Sequence, residues 1–267
     1  MTHLKKLISA LIILIIILGI SVGWWISHRF YGGVPTTETP LSTFKSQLST
    51  KQMTIKAVGL GDSLTKGVGD PNEQGYAGIV VGDLRKESAF SSASLIDEGV
   101  TGDTTKDLLK VLKKKQVQDA ISKSNVIFLT IGGNDLVNVL KDHFLNLDFK
   151  EFDKAQKQYT QNLNTILTKV RALNPTATIY YMGLYNPFED YLTDLNQPFE
   201  SVLNKWNQAG ETILSLYPNT VFIPTFDLFH GKTSELLYKD HFHPNPKGYK
   251  LIASRILTHF DQSPSQP

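Results

Sequence analysis

A serine at the end of an apolar run is the first place where this chain could do chemistry. In GLGDSLTKGVGD, residues 59 to 70, the hydrophobic stretch carrying Ile55, Ala57, Val58 and Leu60 gives way to Gly61, Asp62 and Ser63. A serine hydroxyl becomes a useful nucleophile only when a base takes its proton, and histidine, with an unperturbed pKa of about 6.5, suits that task. The base in turn needs a carboxylate on its second nitrogen to hold the right tautomer. DHFHPN, residues 240 to 245, places Asp240 and His243 on one short stretch, so a single loop can supply both base and orienter. The chemistry these three residues could run is acyl transfer. Its tetrahedral intermediate carries an oxyanion, which wants preorganised N–H donors worth about 3–4 kcal/mol each. The candidate donors are the backbone N–H of Ser63, that of Gly102 in VTGDTT, and the side-chain amide of Asn134 in IGGNDL.

Each residue also has a plainer reading. Ser63 could cap a helix, since Asp and Ser lead at that position. Gly132-Gly133 could be a strand-ending turn with Asn134 as its cap. Gly102 alone carries little, because loop glycines are common. Asp62 and Asp135 flank the candidate positions and are expected to brace loops by hydrogen bonds. Asp240, His241 and His243 offer three metal ligands, but a site on one short loop needs support from elsewhere. His3, His28, His143, His230 and His259 show no ligand-like spacing to provide it. In YYMGLYNPFEDY, Tyr180 and Tyr181 are expected in the core, whereas Tyr185, Phe188 and Tyr191 could wall a substrate site or join the core.

Positioning these residues requires a scaffold, and the hydrophobic pattern supplies one. Short β-rich runs alternate with longer amphipathic ones. The strands are expected at Thr54–Leu60, Ser94–Asp97, Val126–Ile131, Thr178–Met182 and Val221–Pro224. The helices are expected at Gly75–Glu87, Thr105–Ile121, Phe152–Leu173, Phe199–Tyr217 and Pro246–Phe260. Asn174-Pro175 stops the longest of them. Such alternation implies an α/β fold, a three-layer α/β/α sandwich with a mainly parallel five-stranded sheet. Sites in such sheets form beyond the carboxyl ends of the strands, and all four candidate loops map to that one edge.

The four blocks together resemble the GDSL family of lipases and esterases within the SGNH-hydrolase superfamily. GDSL at 61–64, the glycine of VTGDTT at 100–105, Gly-x-Asn-Asp within IGGNDL at 131–136, and Asp-x-x-His-Pro at 240–244 occur in the family's order. The chain is most similar to the anchored or secreted lipase/acylhydrolase branch of Gram-positive bacteria, over residues 52 to 260. The resemblance implies a flavodoxin-like fold, Ser63 as nucleophile, His243 as base and Asp240 as its orienter. Ser63, Gly102 and Asn134 would form the oxyanion hole, and no metal or other cofactor is implied. Asp97-Glu98-Gly99 departs from the family's usual Asn ahead of the second block, a matter of loop detail. The nucleophile elbow of the α/β-hydrolases, G-x-S-x-G, is not matched, because Thr65 stands where its second glycine belongs.

Composition narrows the partners. A formal net charge of +2 over 267 residues excludes nucleic acid as the main partner, and the Lys113–Lys115 run reads as a solvated helix end. The absence of cysteine removes disulfides, thiol catalysis and a lipidated-cysteine anchor. Residues 7 to 26, LISALIILIIILGISVGWWI, form an uncharged stretch long enough to span a bilayer core of about 30 Å. Lys5 and Lys6 before it orient the N-terminus to the cytoplasm and the rest outside. The expected organisation is therefore a signal-anchor transmembrane helix within 1–29, a flexible linker over 30–51, a catalytic domain over 52–262 and a tail over 263–267. Cleavage of the N-terminal segment would make the protein secreted, although Trp24 to Arg29 make a poor cleavage site.

The expected activity is that of a serine esterase or lipase acting on lipid or lysophospholipid acyl esters. A carbohydrate O-acetyl esterase or thioesterase at the cell wall is an alternative, as is an inactive surface-binding module. The ester substrate is thus a lipid or a cell-surface polymer.

Overall fold

The computed structural model describes residues 53–72, 74–142 and 149–260. The apolar stretch 7–26, the 30–51 linker and the 263–267 tail lie outside the described residues. Among the described residues, no helix is long and apolar enough to cross a membrane.

In chain order the elements are β1 (Met53–Gly61), α1 (Ser63–Lys66), α2 (Gly75–Leu84), β2 (Phe90–Gly99), α3 (Thr105–Val111), α4 (Lys115–Lys123) and β3 (Val126–Thr130). There follow α5 (Gly133–Asp142), α6 (Phe149–Leu173), β4 (Thr178–Met182), α7 (Glu189–Leu192), a 3₁₀ turn at Thr193–Leu195 and α8 (Asn196–Leu214). The last are β5 (Thr220–Ile223), α9 (Phe226–Phe229), α10 (Thr233–Leu236) and α11 (Pro246–Phe260). The five strands form one parallel sheet in the order β2-β1-β3-β4-β5.

Successive side chains of a strand point to opposite faces, so a strand covered on both sides must be apolar throughout. VIFLT of β3 is buried at every position. Val126 and Phe128 face a layer made by α2 and α11, where Tyr76, Val80, Tyr249 and Ile252 are buried. Ile127 and Leu129 face the opposite layer, with Leu108, Leu163, Ile166 and Trp206. The strand order reverses between β1 and β3, and a crevice opens at such a switch point beyond the strand ends. Residue 63 follows one of these strands and residue 134 the other.

The expected helix over Thr105–Ile121 is instead two. The buried residues are Leu108, Val111 and Leu112, then Val117, Ala120 and Ile121. In an unbroken helix the step from 112 to 117 is roughly 500°, which would turn the second set well away from the first. An extended Lys114, at φ −71° and ψ 129°, resets the phase and leaves the three lysines in water. A further helix, α5, occupies the segment whose Gly132-Gly133 suggests only a turn. β2 is also longer than the expected Ser94–Asp97, because as an edge strand it is half-exposed and lacks an apolar run.

Candidate active site

Three loops beyond the strand ends, and one near the C-terminus, build the site. β1 runs straight into α1 through Gly61 and Asp62. Gly61 has φ +128°, and a Cβ there would lie 1.8 Å from the Thr130 carbonyl oxygen, so only glycine lets β1 end this close to β3. Asp62 is the N-cap of α1, its Oδ1 accepting from the Leu64 N–H at 3.0 Å. Ser63 is thereby held at the first position of a helix, buried beneath the edge of the sheet.

Residues 237–244 form a tight loop between α10 and α11, closed by the Leu237–Pro244 bridge. Asp240 Oδ1 accepts from the backbone N–H groups of Phe242 and His243, both at 3.0 Å. Its Oδ2 is 2.8 Å from His243 Nδ1, and His243 Nε2 is 2.8 Å from Ser63 Oγ. Ser63, His243 and Asp240 therefore form one continuous hydrogen-bonded chain across 180 residues of sequence. Burial pushes the Asp240 carboxyl up, but the His243 ring and the two backbone donors outweigh it and hold the group below the ordinary carboxylate range. That contribution to stability is present above the unfolded value near 4 and is lost as pH falls through the lower folded value.

The two loops with candidate donors meet each other. Asn134 donates one amide hydrogen to the Asp103 carbonyl at 2.9 Å, which ties α5 to the 100–104 turn and leaves its second amide hydrogen uncommitted. Gly102 sits in that turn at φ +87° with nothing within 4 Å of a notional Cβ, so conformation rather than crowding demands glycine here. Asp135 braces the same junction, accepting from the Thr105 N–H at 2.8 Å and its hydroxyl at 2.5 Å. Asp97, at the departure from the family's usual Asn, accepts the Gly99 N–H at 2.8 Å and pairs with Lys66. His241 is exposed and packs edge-on against Tyr191, ring centres 5.6 Å apart. It forms no metal-like grouping with Asp240 and His243, whose facing atoms are committed to each other and to Ser63.

An apolar pocket opens between these loops. Its cavity volume is about 50 Å³, and its walls include Leu64, Leu136, Leu184, Phe188, Phe199 and Phe242. Tyr180 and Tyr181 are core, while Tyr185 and Phe188 are both buried and pocket-lining. The Tyr185 hydroxyl donates to the Phe242 carbonyl at 2.6 Å and so braces the loop that carries His243.

Asp62 and Thr130 are partners that motif reading does not pair. Thr130 Oγ1 donates to Asp62 Oδ1 at 2.9 Å, at the inner end of a hydroxyl chain running through Thr65 to Tyr76. Burial raises the Asp62 carboxyl to about 6, against the lowering effect of its hydrogen bonds. The native state thus holds this proton more tightly than the unfolded chain, so its contribution to stability declines as pH rises from about 4 to about 6. Asp62→Asn keeps the acceptor oxygen and removes the buried charge. It is expected to flatten that part of the pH–stability curve and to add about 3 kcal/mol at pH 8, since each tenfold change in proton affinity is worth about 1.4 kcal/mol. Urea unfolding at pH 5 and pH 8 measures both; a variant less stable than wild type at pH 8 would contradict this account.

The model of the GDSL-like Lipase/Acylhydrolase family matches residues 60–251. The uncharacterized protein YpmR of Bacillus subtilis (strain 168) is 37% identical over 212 residues, covering 79% of this chain and 82% of its own. Spore germination lipase LipC of Bacillus licheniformis is 29% identical over 219 residues, covering 76% and 95% respectively. Among solved structures, the lipase Lip_vut3 from a goat rumen metagenome superposes with a TM-score of 0.66 at 26% identity, over 76% of this chain and 96% of that one.

Proposed function

The chain belongs to the GDSL-like lipase/acylhydrolase family and is a carboxylic ester hydrolase, and on that premise we propose that it works through an acyl-enzyme on Ser63. The observation that carries the reading is the unbroken Ser63–His243–Asp240 chain, 2.8 Å at each link. Ser63 Oγ attacks the ester carbonyl carbon while His243 Nε2 takes its proton. Asp240 holds Nδ1–H and stabilises the imidazolium that forms. The oxyanion is received by the Ser63 and Gly102 N–H groups and the free amide hydrogen of Asn134. His243 returns the proton to the departing alkoxide as the carbonyl–oxygen bond breaks, and water then releases the acid by the same steps in reverse.

The substrate we propose is a lipid-type acyl ester, lysophospholipid included, its acyl chain entering the apolar pocket between Leu184, Phe188 and Phe242. Each buried methylene is worth about 0.8 kcal/mol, roughly fourfold in rate constant. For the full-length chain, kcat/KM on p-nitrophenyl esters is therefore expected to rise about fourfold per methylene from acetate to butyrate. It should level off by octanoate, because a cavity of about 50 Å³ admits a longer tail only if its walls move. A panel in which acetate is the best substrate contradicts the lipid reading. That outcome would favour a carbohydrate O-acetyl ester, for which a second cleft of about 490 Å³ brings the polar side chains of Lys106 and Asn138 to its walls beside Thr104, Gln158 and Asn162.

We further propose that residues 7–26 anchor the protein as a single span with the catalytic domain outside the cell. The supporting features are the uncharged length of the stretch and the lysines before it. Intact-mass analysis of the membrane fraction is expected to return the chain with this stretch retained, and a chain beginning beyond residue 26 would overturn the anchor.

A further inference from the structure

Next to the Phe188–Phe199 wall of the apolar pocket, three metal-ligating side chains converge from separate elements. Glu189 opens α7, Glu200 lies on α8, and His230 follows α9. One donor atom from each lies within 4.8 Å of the others. His230 Nδ1 is 3.1 Å from Glu189 Oε1 and 3.8 Å from Glu200 Oε1. A tetrahedral zinc with ligand bonds of about 2.0–2.2 Å needs its ligand atoms roughly 3.3–3.6 Å apart. The two His230 spacings bracket that range, and no pair of donor atoms is more than 4.8 Å apart.

The surroundings hold the ligands in place. The Gly231 N–H donates to both oxygens of Glu189, at 3.2 and 3.0 Å, and Asn196 Nδ2 donates to Glu200 Oε1 at 3.0 Å. The His230 ring stacks on Phe226, centres 5.4 Å apart and 20° from parallel. Ligands fixed by outer hydrogen bonds and packing in this way are what a metal site requires. The charge is also unbalanced: two carboxylates, 15% and 21% exposed, face an imidazole as their ion-pair partner, with no lysine or arginine within 4 Å among the described residues. His230 itself is 54% exposed, which leaves the outer side open to water as a fourth ligand.

We propose that Glu189, Glu200 and His230 bind a divalent transition metal of the zinc type. An imidazole with two carboxylates suits Zn²⁺ better than the all-oxygen shells of Mg²⁺ or Ca²⁺. Its effect would be structural. Glu189 adjoins Phe188 and Glu200 adjoins Phe199, and these two rings pack edge to face across the pocket wall at 5.9 Å. A metal joining the two glutamates fastens the same two segments together a second time. This inference is independent of the Ser63 mechanism.

The test is calorimetric titration of the untagged, chelator-treated full-length chain with Zn²⁺ at pH 7.5, with Mg²⁺ and Ca²⁺ as comparisons. One Zn²⁺ equivalent is expected to bind, at least tenfold more weakly in His230→Ala and in Glu200→Gln, and unchanged in His241→Ala. The melting temperature should rise with Zn²⁺ in the wild type and stay fixed in His230→Ala. Hydrolysis of p-nitrophenyl acetate by the metal-free His230→Ala protein, equal to metal-free wild type, shows the fold intact. No stoichiometric Zn²⁺ binding, or binding that survives His230→Ala and is lost in His241→Ala, overturns the proposal.

Discussion

Ser63→Ala is expected to lower kcat on p-nitrophenyl butyrate by about 10⁴–10⁶ while leaving KM within a few-fold of wild type. The variant loses only the oxygen that is 2.8 Å from His243 Nε2. Nothing else near it can replace that oxygen, because the neighbouring hydroxyls of Thr65 and Thr130 are tied into the buried chain that ends on Asp62. The pocket walls and the Gly102 and Asn134 donors are untouched, so substrate should still bind. The substitution is also small: alanine is accepted at the first turn of α1, whose cap is supplied by Asp62. Stopped-flow and steady-state assays of the full-length protein, with a melting curve alongside, separate this from misfolding. Equal slow hydrolysis by wild type and variant would remove the assignment of Ser63 as nucleophile.

Asp240→Asn is expected to cost nearly as much, about 10⁴ in kcat, and for a different reason. Asp240 Oδ1 is committed to the Phe242 and His243 N–H groups, so the asparagine must keep its oxygen there. Its NH₂ group then faces His243 Nδ1, where Asp240 Oδ2 now lies at 2.8 Å. Nδ1 has to accept that hydrogen bond, which moves the ring proton to Nε2, the very atom that should receive the Ser63 proton. The result is a well-formed loop with the wrong tautomer. The melting temperature should fall by only a few degrees, whereas Asp240→Ala, which also removes the acceptor for both backbone donors, should lower it further. An Asp240→Asn enzyme with kcat within tenfold of wild type would show that the carboxylate is not orienting a general base.

Much of this architecture is legible in the amino-acid order because strands buried on both faces leave continuous apolar runs. Val126–Thr130 and Thr178–Met182 are such runs, and their ends lie within a residue of the expected ones. The helix formed by Asn196–Leu214 begins three residues before the expected Phe199, since Asn196 and Gln197 carry no apolar signal. Split helices are harder to read: Leu108, Val111 and Leu112 share a face, but nothing local announces that Lys114 breaks the phase before Val117. The Gly133–Asp142 helix hides behind a glycine pair that signals a turn, although Leu136, Val137, Val139 and Leu140 are all buried on it.

The candidate site divides along the same line. Ser63, Gly102, Asn134 and His243 stand in short blocks whose residue types and order by themselves suggest chemistry. Their partners are set by three-dimensional packing. Thr130 reaches Asp62 only because β1 and β3 pair, and Asn134 reaches the Asp103 carbonyl only because two loops fold toward the same edge. Glu189, Glu200 and His230 come from three segments with no shared spacing, so no scan along the chain could gather them. The pocket wall formed by Leu184, Phe188 and Phe242 has the same origin.

The most direct test of the account is covalent. Treating the full-length protein with a fluorophosphonate probe and mapping the adduct by peptide mass spectrometry reads the nucleophile itself, whatever the natural ester is. One phosphonyl group per chain is expected, located on Ser63, with no adduct in Ser63→Ala and slowed labelling in Asp240→Asn. Labelling at another residue, or no labelling of a folded wild-type protein, would contradict the account.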